Sequence, residues 1–447
     1  MFSRILIANR GEIALRILRA ARALEVETVC VYSEADAGAP WLDLADKTVC
    51  IGKGPSADSY LRIDRIISAA EMTDAEAIHP GYGFLAENAH FAEVCRDCHI
   101  EFIGPSPEAM ARLGDKISCK KLAREAGTPV FPGTDGEIEK LEEAIEMADI
   151  IGYPVIVKAS AGGGGKGMRV AHNVASLRTA VTAAKQEAVA SFGNGAVYLE
   201  KFLENARHVE VQVIGDKHGN AVHLFNRDCT SQRRHQKLVE EGPAPGIDPA
   251  VRDKVCESAA ELIRKAQYSG AATVEFLMND KQEFFMLEVN TRVQVEHPVT
   301  EMITGVDIVK ESIRVAAGEE LSWKQEDVHL LGHAIECRIN AEDPDNNFMP
   351  QPGLIETWQL PGGPGVRVES HVRAGYRIPP NYDSMIGKLI VVGRDRNEAI
   401  VRMRCALAEM KVGPIATTIP LHQRLMNHHA FVSAEFDIHW VERLLDN

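Results

Sequence analysis

Over its first 110 residues the chain alternates short apolar runs with helical periods. Ile5 to Ala8 reads as a strand, Glu12 opens a helix that sets Ile13, Ile17 and Leu24 on one face, and Thr28 to Tyr32 and Ala75 to Ile78 are further strands. Strands separated by helices pair in parallel, so this pattern predicts a doubly wound parallel sheet with helices on both faces. The turn after the first strand, Asn9 to Glu12, lacks the GxGxxG spacing of a dinucleotide site, which argues against a dehydrogenase. A second turn, His79 to Phe84 (HPGYGF), is bracketed by glycines; it suits close approach of a ligand to the backbone, or simply redirects the chain.

The texture changes near residue 114. A polar helix from Asp115 to Ala126, a Pro/Gly loop from Thr128 to Gly136 and a helix from Ile138 to Asp149 lead into strands that flank a glycine run. Residues 196 to 226 hold three β-rich runs, the last two joined by GDKHGN at 215 to 220. The turn PGGPG at 361 to 365 and a second set of short strands suggest a separate C-terminal α+β unit. The expected divisions are 1–113, 114–330 with a lid at about 131–203, and 331–447. No low-complexity linker separates them, so they should share interfaces.

Ala272 to Met278 and Glu283 to Val289 read as two strands joined by the turn-prone Asn279 to Gln282, a hairpin that sets Glu275 opposite Glu288. Two carboxylates about 4 Å apart repel by roughly 4 kcal/mol at an effective dielectric of 20. Magnesium fits between them, being held by one or two carboxylates together with substrate phosphates; a hydrated polar edge is the alternative. If the second strand continued to 296, Glu288, Asn290, Arg292, Gln294 and Glu296 would share one face above Val289, Val293 and Val295.

The segment VIVKASAGGGGKGMRV at 155 to 170 is not a P-loop, because Lys166 is followed by Gly167 and no helix follows. It reads as a hairpin whose tip, Gly162 to Gly165, offers backbone amides to phosphate as a mobile lid. Lys116 at the start of a helix, Lys158 at the end of a strand and the basic stretch QRRHQK at 232 to 237 are candidate anion ligands.

A net charge of −15 argues against nucleic acid or an anionic membrane as a partner. No apolar run approaches 18 residues and the N-terminus is broken by Arg10 and Glu12, so a cytoplasmic protein is expected. The nine cysteines suit reduced thiols, and Cys95, Cys98 and His99 lack the partners for a closed zinc site, leaving a helix-surface coincidence.

Together these stretches resemble the biotin carboxylase family of the ATP-grasp superfamily along essentially the whole chain. The resemblance is carried by ILIANRGEIA at 5 to 14, HPGYGFLAEN at 79 to 88, KASAGGGGKGM at 158 to 168, RHVEVQV at 207 to 213, RDC at 227 to 229, QRRHQK at 232 to 237, EVNTRVQVEHPVTEMITGVD at 288 to 307, ECRINAEDP at 336 to 344 and YDSMIGK at 382 to 388.

The resemblance implies a pre-ATP-grasp N-terminal domain, a central ATP-grasp domain with a glycine-rich lid, and a C-terminal biotin carboxylase domain. It implies ATP-dependent carboxylation of biotin from bicarbonate through carboxyphosphate. ATP would be held by Lys116, Lys158, Gly164, Gly165, Glu200, Lys201, Leu203, His208, Gln232, His235, Glu275, Leu277 and Glu288. Two magnesium or manganese ions would sit on Glu275, Glu288 and Asn290. Bicarbonate would meet Lys237, Arg292, Gln294, Val295 (through its backbone) and Glu296. The catalytic set would be Lys237, Arg292, Glu296 as general base and Arg338, with Tyr82, Gly83 and Arg338 near biotin. Read locally, Arg338 would instead form a salt bridge with Glu336 or Glu342.

Biotin enzymes need a carrier lysine, usually in an Ala-Met-Lys-Met turn. The nearest match is Met410, Lys411, Val412, but Ile400, Met403, Leu407 and Met410 recur at helical spacing, so Lys411 is expected to end an amphipathic helix. The expectation is a stand-alone homodimeric subunit, serving a biotin carboxyl carrier protein and a carboxyltransferase. Its reaction would be the first half-reaction of acetyl-CoA carboxylase, in fatty acid biosynthesis; a propionyl-CoA, pyruvate or 2-oxoglutarate carboxylase is the alternative.

Overall fold

Ile5 and Ile7 pack into one buried cluster with Ile13 and Ile17, while Leu6 and Ala8 pack into another with Ile66 and Ile67. Strand alternation therefore sends one strand's side chains into two cores, which is the condition for helices on both faces. The computed structural model describes residues 1–134, 136–138, 140–160 and 168–446. Its N-terminal sheet is parallel throughout, in the order Lys47–Gly52, Glu27–Ser33, Arg4–Ile7, Ala77–His79, Glu101–Phe102. Helices Gly11–Ala23 and Ile63–Met72 cover its two sides.

A larger antiparallel sheet forms the body of the molecule. Its order is Phe284–Asn290, Gly270–Met278, Arg207–Gly215, Ala221–Arg233, Gln236–Gly242, His333–Asn340, Met385–Gly393, Val366–Glu369. The sheet runs unbroken past residue 330, because Val239 pairs with Cys337 and Glu240 with Glu336. The C-terminal segment is thus joined to the centre by strand pairing as well as by packed surfaces. One apolar core holds Leu238 and Val239 together with Ile335, Leu389 and Met403.

A smaller three-stranded sheet, Met168–Ala171, Val155–Ala159, Val197–Lys201, packs against helices Leu141–Ile151 and Val174–Phe192. Its core, including Ile138, Ala144, Val155, Val157, Leu177 and Leu199, is a cluster of its own. The expected glycine lid, including Gly164 and Gly165, lies outside the described residues.

Several expectations are corrected. The strand carrying Glu288 stops at Asn290, and residues 291–296 run irregularly into helix His297–Thr304. The shared even-numbered face ends there; Val293 instead packs in the core of the N-terminal sheet. Lys411 does not end a helix, since helix Arg396–Glu409 stops earlier and Lys411 pairs with Gln359 in a short strand. The helix near Ile138 begins at Leu141. Cys95 is not on a helix surface but buried in the core beside Phe91.

Candidate active site

Glu275 pairs directly with Glu288, as expected, and Thr273 with Asn290, although a bulge between Glu275 and Phe276 shifts the turn-side half of the hairpin by one residue, so that Phe276 meets Met286 and Met278 meets Phe284. Direct cross-strand partners project to one face. That face opens on a cavity of about 950 Å³ bounded by residues from the N-terminal sheet, both β-rich central parts and the C-terminal strands. Lys116, Lys158, Lys201, Leu203, His208, Gln232, His235, Leu277, Arg292, Gln294, Val295, Arg338, Tyr82 and Gly83 all line it, as do Glu275, Glu288, Asn290 and Lys237. Glu200 and Glu296 lie behind the wall, buried, and reach the cavity through their basic partners.

At one end Lys158 Nζ lies 2.6 Å from Glu200 Oε2, and Lys120 pairs with the same carboxylate. Lys120 was not anticipated; it stands one helical turn after Lys116 in helix Lys116–Glu125, which places both on one face. Lys116 sits with Lys158 at this end, and burial and then Lys158 lower its ammonium. Lys201 turns its ammonium to the carbonyls of Gly152 and Tyr153, at 3.0 Å each, and so braces the small sheet.

At the other end a lattice of charges surrounds two glutamates. Glu275 Oε1 accepts from Asn290 Nδ2 at 2.7 Å and Gln294 Nε2 at 3.0 Å, with Lys237 Nζ at 3.4 Å, while Oε2 faces His208 Nε2 at 3.0 Å. Burial alone would raise the Glu275 carboxyl, but Lys237 and His208 hold it below the usual carboxylate range. Across the hairpin, Glu288 faces the open cavity, and its enclosure by protein together with Glu275 raises its carboxyl. Two carboxylates side by side with a carboxamide, Asn290, form a hard oxygen donor set of the kind magnesium takes. These residues fit a divalent cation.

Glu296 is wholly buried at the start of helix His297–Thr304. Lys237 Nζ lies 2.6 Å from Oε1, and Arg338 Nη2 lies 2.9 Å from Oε2. Burial opposes the charge, yet Lys237, Arg338 and Arg227 keep this carboxyl well below the usual range. Arg338 Nε also meets Glu240 Oε1 at 2.5 Å, so the local partners expected for it, Glu336 and Glu342, are replaced by Glu240 and Glu296. Lys237 also contacts Glu210, which Arg227 Nη2 approaches at 3.1 Å. Burial pushes Glu210 up to about 7 against the pull of Lys237. Glu210 and Glu240 were missed, although Glu210 stands two residues from His208 in the RHVEVQV run and therefore shares its face.

Arg292 bridges the two parts: Nη2 donates to Asn290 Oδ1 at 3.0 Å, Nη1 to Gln294 Oε1 at 3.2 Å, and Nε to Glu87 Oε2 at 2.9 Å. Tyr82 follows Gly81, whose φ is +65°, a conformation glycine adopts most easily. A side chain at Gly81 would also crowd Asn9, whose Nδ2 holds the turn by donating to the carbonyls of Pro80 and Tyr82 at 2.7 Å.

Sequence comparison agrees with this architecture in three consecutive blocks. The model of the biotin carboxylase N-terminal domain matches residues 1–110, that of the carbamoyl-phosphate synthase L chain ATP-binding domain residues 115–324, and that of the biotin carboxylase C-terminal domain residues 336–443. Biotin carboxylase 1 of Bacillus subtilis (strain 168) is 53% identical over 443 residues, covering 99% of this chain and 98% of that protein. The chain belongs to the biotin carboxylase family. A pyruvate carboxylase subunit of Methanothermobacter thermautotrophicus is 52% identical, covering 99% of this chain and 90% of that protein. Among solved structures, the biotin carboxylase domain dimer of the Hydrogenobacter thermophilus 2-oxoglutarate carboxylase, in complex with magnesium ADP, ADP and bicarbonate, superposes with a TM-score of 0.93 at 47% identity, covering 99% of this chain and 98% of that one. The protein is therefore a biotin carboxylase, an ATP-binding ligase of the ATP-grasp class.

Proposed function

We propose that this chain carboxylates biotin on a separate biotin carboxyl carrier protein as the first half-reaction of a cytoplasmic acetyl-CoA carboxylase in fatty acid biosynthesis, working as a homodimer beside carboxyltransferase subunits. The observation that carries the chemistry is the position of Glu296: buried, held by Lys237 and Arg338, and linked through Lys237 to Glu275, the strand partner of Glu288. None of the described helices is long and apolar enough to cross a membrane.

In this reading Lys116, Lys158, Glu200, Lys201, Leu203, His208, Gln232, His235 and Leu277, with the glycine run, hold ATP. Glu275, Glu288 and Asn290 would hold two magnesium or manganese ions, whose chemistry is to neutralise charge gathering on the phosphates. Bicarbonate sits against Lys237, Arg292, Gln294 and the backbone of Val295. When the Lys237 ammonium turns toward this anion it loosens its grip on Glu296, whose affinity for a proton then rises. Glu296 takes the bicarbonate proton, the freed oxygen attacks the γ-phosphorus, and ADP leaves. Carboxyphosphate breaks into CO2 and phosphate. The phosphate takes the ureido proton of biotin near Tyr82 and Gly83, and the resulting nitrogen attacks CO2. Arg338 stabilises the enolate-like oxygen as its charge develops, a task suited to a cation that never deprotonates.

The test of the half-reaction is ATP turnover with magnesium and bicarbonate, with and without free biotin: biotin-dependent turnover is expected, and its absence ends the proposal. Relatives serving pyruvate and 2-oxoglutarate carboxylases keep a second acceptor reading open. Capture of the biotinylated carrier together with its transferase separates these, because the acceptor is chosen outside this subunit.

A further inference from the structure

Lys388 lies in strand Met385–Gly393 with its side chain completely buried, at the point where the three family-matched segments meet. It pairs in register with Arg338 on one side and Glu369 on the other, which directs it to the same face of the sheet as Arg338. Its ammonium donates to the carbonyl oxygen of Val295 at 2.6 Å and lies 3.2 Å from Glu12 Oε1. Glu12 Oε1 in turn accepts the hydroxyl of Tyr82.

Charge neutralisation alone does not account for this arrangement. Glu336 projects from the same face, fully buried; the Lys388 charge opposes the effect of that burial, yet among the described residues neither of its carboxylate oxygens has a hydrogen-bond partner. The lysine directs its hydrogen bond to a backbone carbonyl instead. That carbonyl belongs to the peptide joining Val295 to Glu296, in a segment free of strand or helix pairing. A peptide is planar, so holding its oxygen also fixes the orientation of the Glu296 amide and the path of the chain into Glu296.

We propose that Lys388 is a positioning residue for biotin carboxylation: one buried ammonium sets the Val295–Glu296 peptide against bicarbonate and, through Glu12, sets Tyr82 against biotin. The proposal rests on the roles assigned above to Val295, Glu296 and Tyr82. It explains why a cation is kept where each neighbour comes from a different part of the chain.

The test compares Lys388→Met, which leaves Glu12 charged, with the double variant Lys388→Met/Glu12→Gln, which removes the buried carboxylate that the single variant leaves without its cation. ATP affinity, measured by equilibrium binding, should stay within about twofold of wild type. KM for bicarbonate and for free biotin should rise by about 10- to 100-fold, the scale of a small misplacement of reacting groups, and Lys388→Arg should recover part of the loss. A double variant with wild-type KM values and only a lower melting temperature overturns the proposal, and so does one that does not fold, because the lysine then serves the core alone. Wild-type turnover in the same assay reports separately on the half-reaction, so failure of that reading is not confused with failure of this one.

Discussion

Lys237 Nζ and Glu296 Oε1 lie 2.6 Å apart inside the protein, and each holds the other ionised. Burial disfavours both charges, but Glu210, Glu275 and Glu296 raise the Lys237 ammonium well above its ordinary range, and Lys237, Arg338 and Arg227 lower Glu296 well below its own. A carboxyl with a depressed pKa is in its basic form at every pH above that value. The stability it contributes is present above the unfolded pKa of about 4.3 and is lost only as pH falls through the folded value. The kcat/KM profile for bicarbonate should therefore show no acid limb from Glu296 between about pH 5.5 and 9. Glu296→Gln should lower kcat by about 10²- to 10⁴-fold at every pH in that window. An acid limb inside the window that disappears in the variant would show the base to titrate normally.

Arg338 bridges Glu240 and Glu296 with different nitrogens of one planar group, at 2.5 and 2.9 Å. Arg338→Gln should lower biotin carboxylation by about 10²- to 10³-fold, the effect of losing a charge-stabilising donor. Bicarbonate-dependent ATP hydrolysis without biotin should fall far less. Lysine cannot reproduce the fork, so Arg338→Lys should not rescue. Equal loss of both activities would place Arg338 at carboxyphosphate formation instead.

Glu275 and Glu288 are direct register partners, one gripped by protein donors and the other facing the cavity. Replacing the open one, Glu288→Gln, should raise the magnesium concentration needed for half-maximal turnover by at least about tenfold, as expected for a weakened metal site. Chelation should abolish turnover, with recovery on adding magnesium or manganese. Unchanged metal dependence in Glu288→Gln would remove this pair from the metal site.

That Glu275 and Glu288 share a hairpin was legible because it is local, two apolar runs and a turn at 279 to 282, whereas the bulge between Glu275 and Phe276 that puts them directly opposite each other was not. The same reasoning failed past Asn290, where Pro298 near the start of the next helix was the signal that the strand could not continue. Glu210 could have been read from its alternation with His208, but Glu240 and Lys388 were illegible for another reason. Each acts through contacts far apart in sequence, such as Lys388 to Val295, 93 residues away, and no local period encodes such a meeting. Arg338 shows the same limit, since its nearby carboxylates in sequence were the wrong partners. The parallel sheet of the first 110 residues was readable from alternation, whereas the strand pairing of Val239 with Cys337 across the expected boundary was not.

That pairing makes a prediction about stability. Ile335 is fully buried in the core shared by Leu238, Val239 and Leu389, and its strand pairs with both Gln236–Gly242 and Met385–Gly393. Ile335→Ala should destabilise by about 2–5 kcal/mol, the range for removing a large aliphatic side chain from a packed interior. Because strands in one cooperative sheet open together, amide hydrogen exchange should accelerate in 236–242 and 385–393 alike. The strand Arg4–Ile7, in a different sheet, should keep its protection. Acceleration confined to 385–393 would mean that the C-terminal segment opens by itself. In that case the continuity of the sheet across residue 330 would carry no cooperativity, and the alignment of Lys237 with Arg338 around Glu296 would depend on side-chain contacts alone.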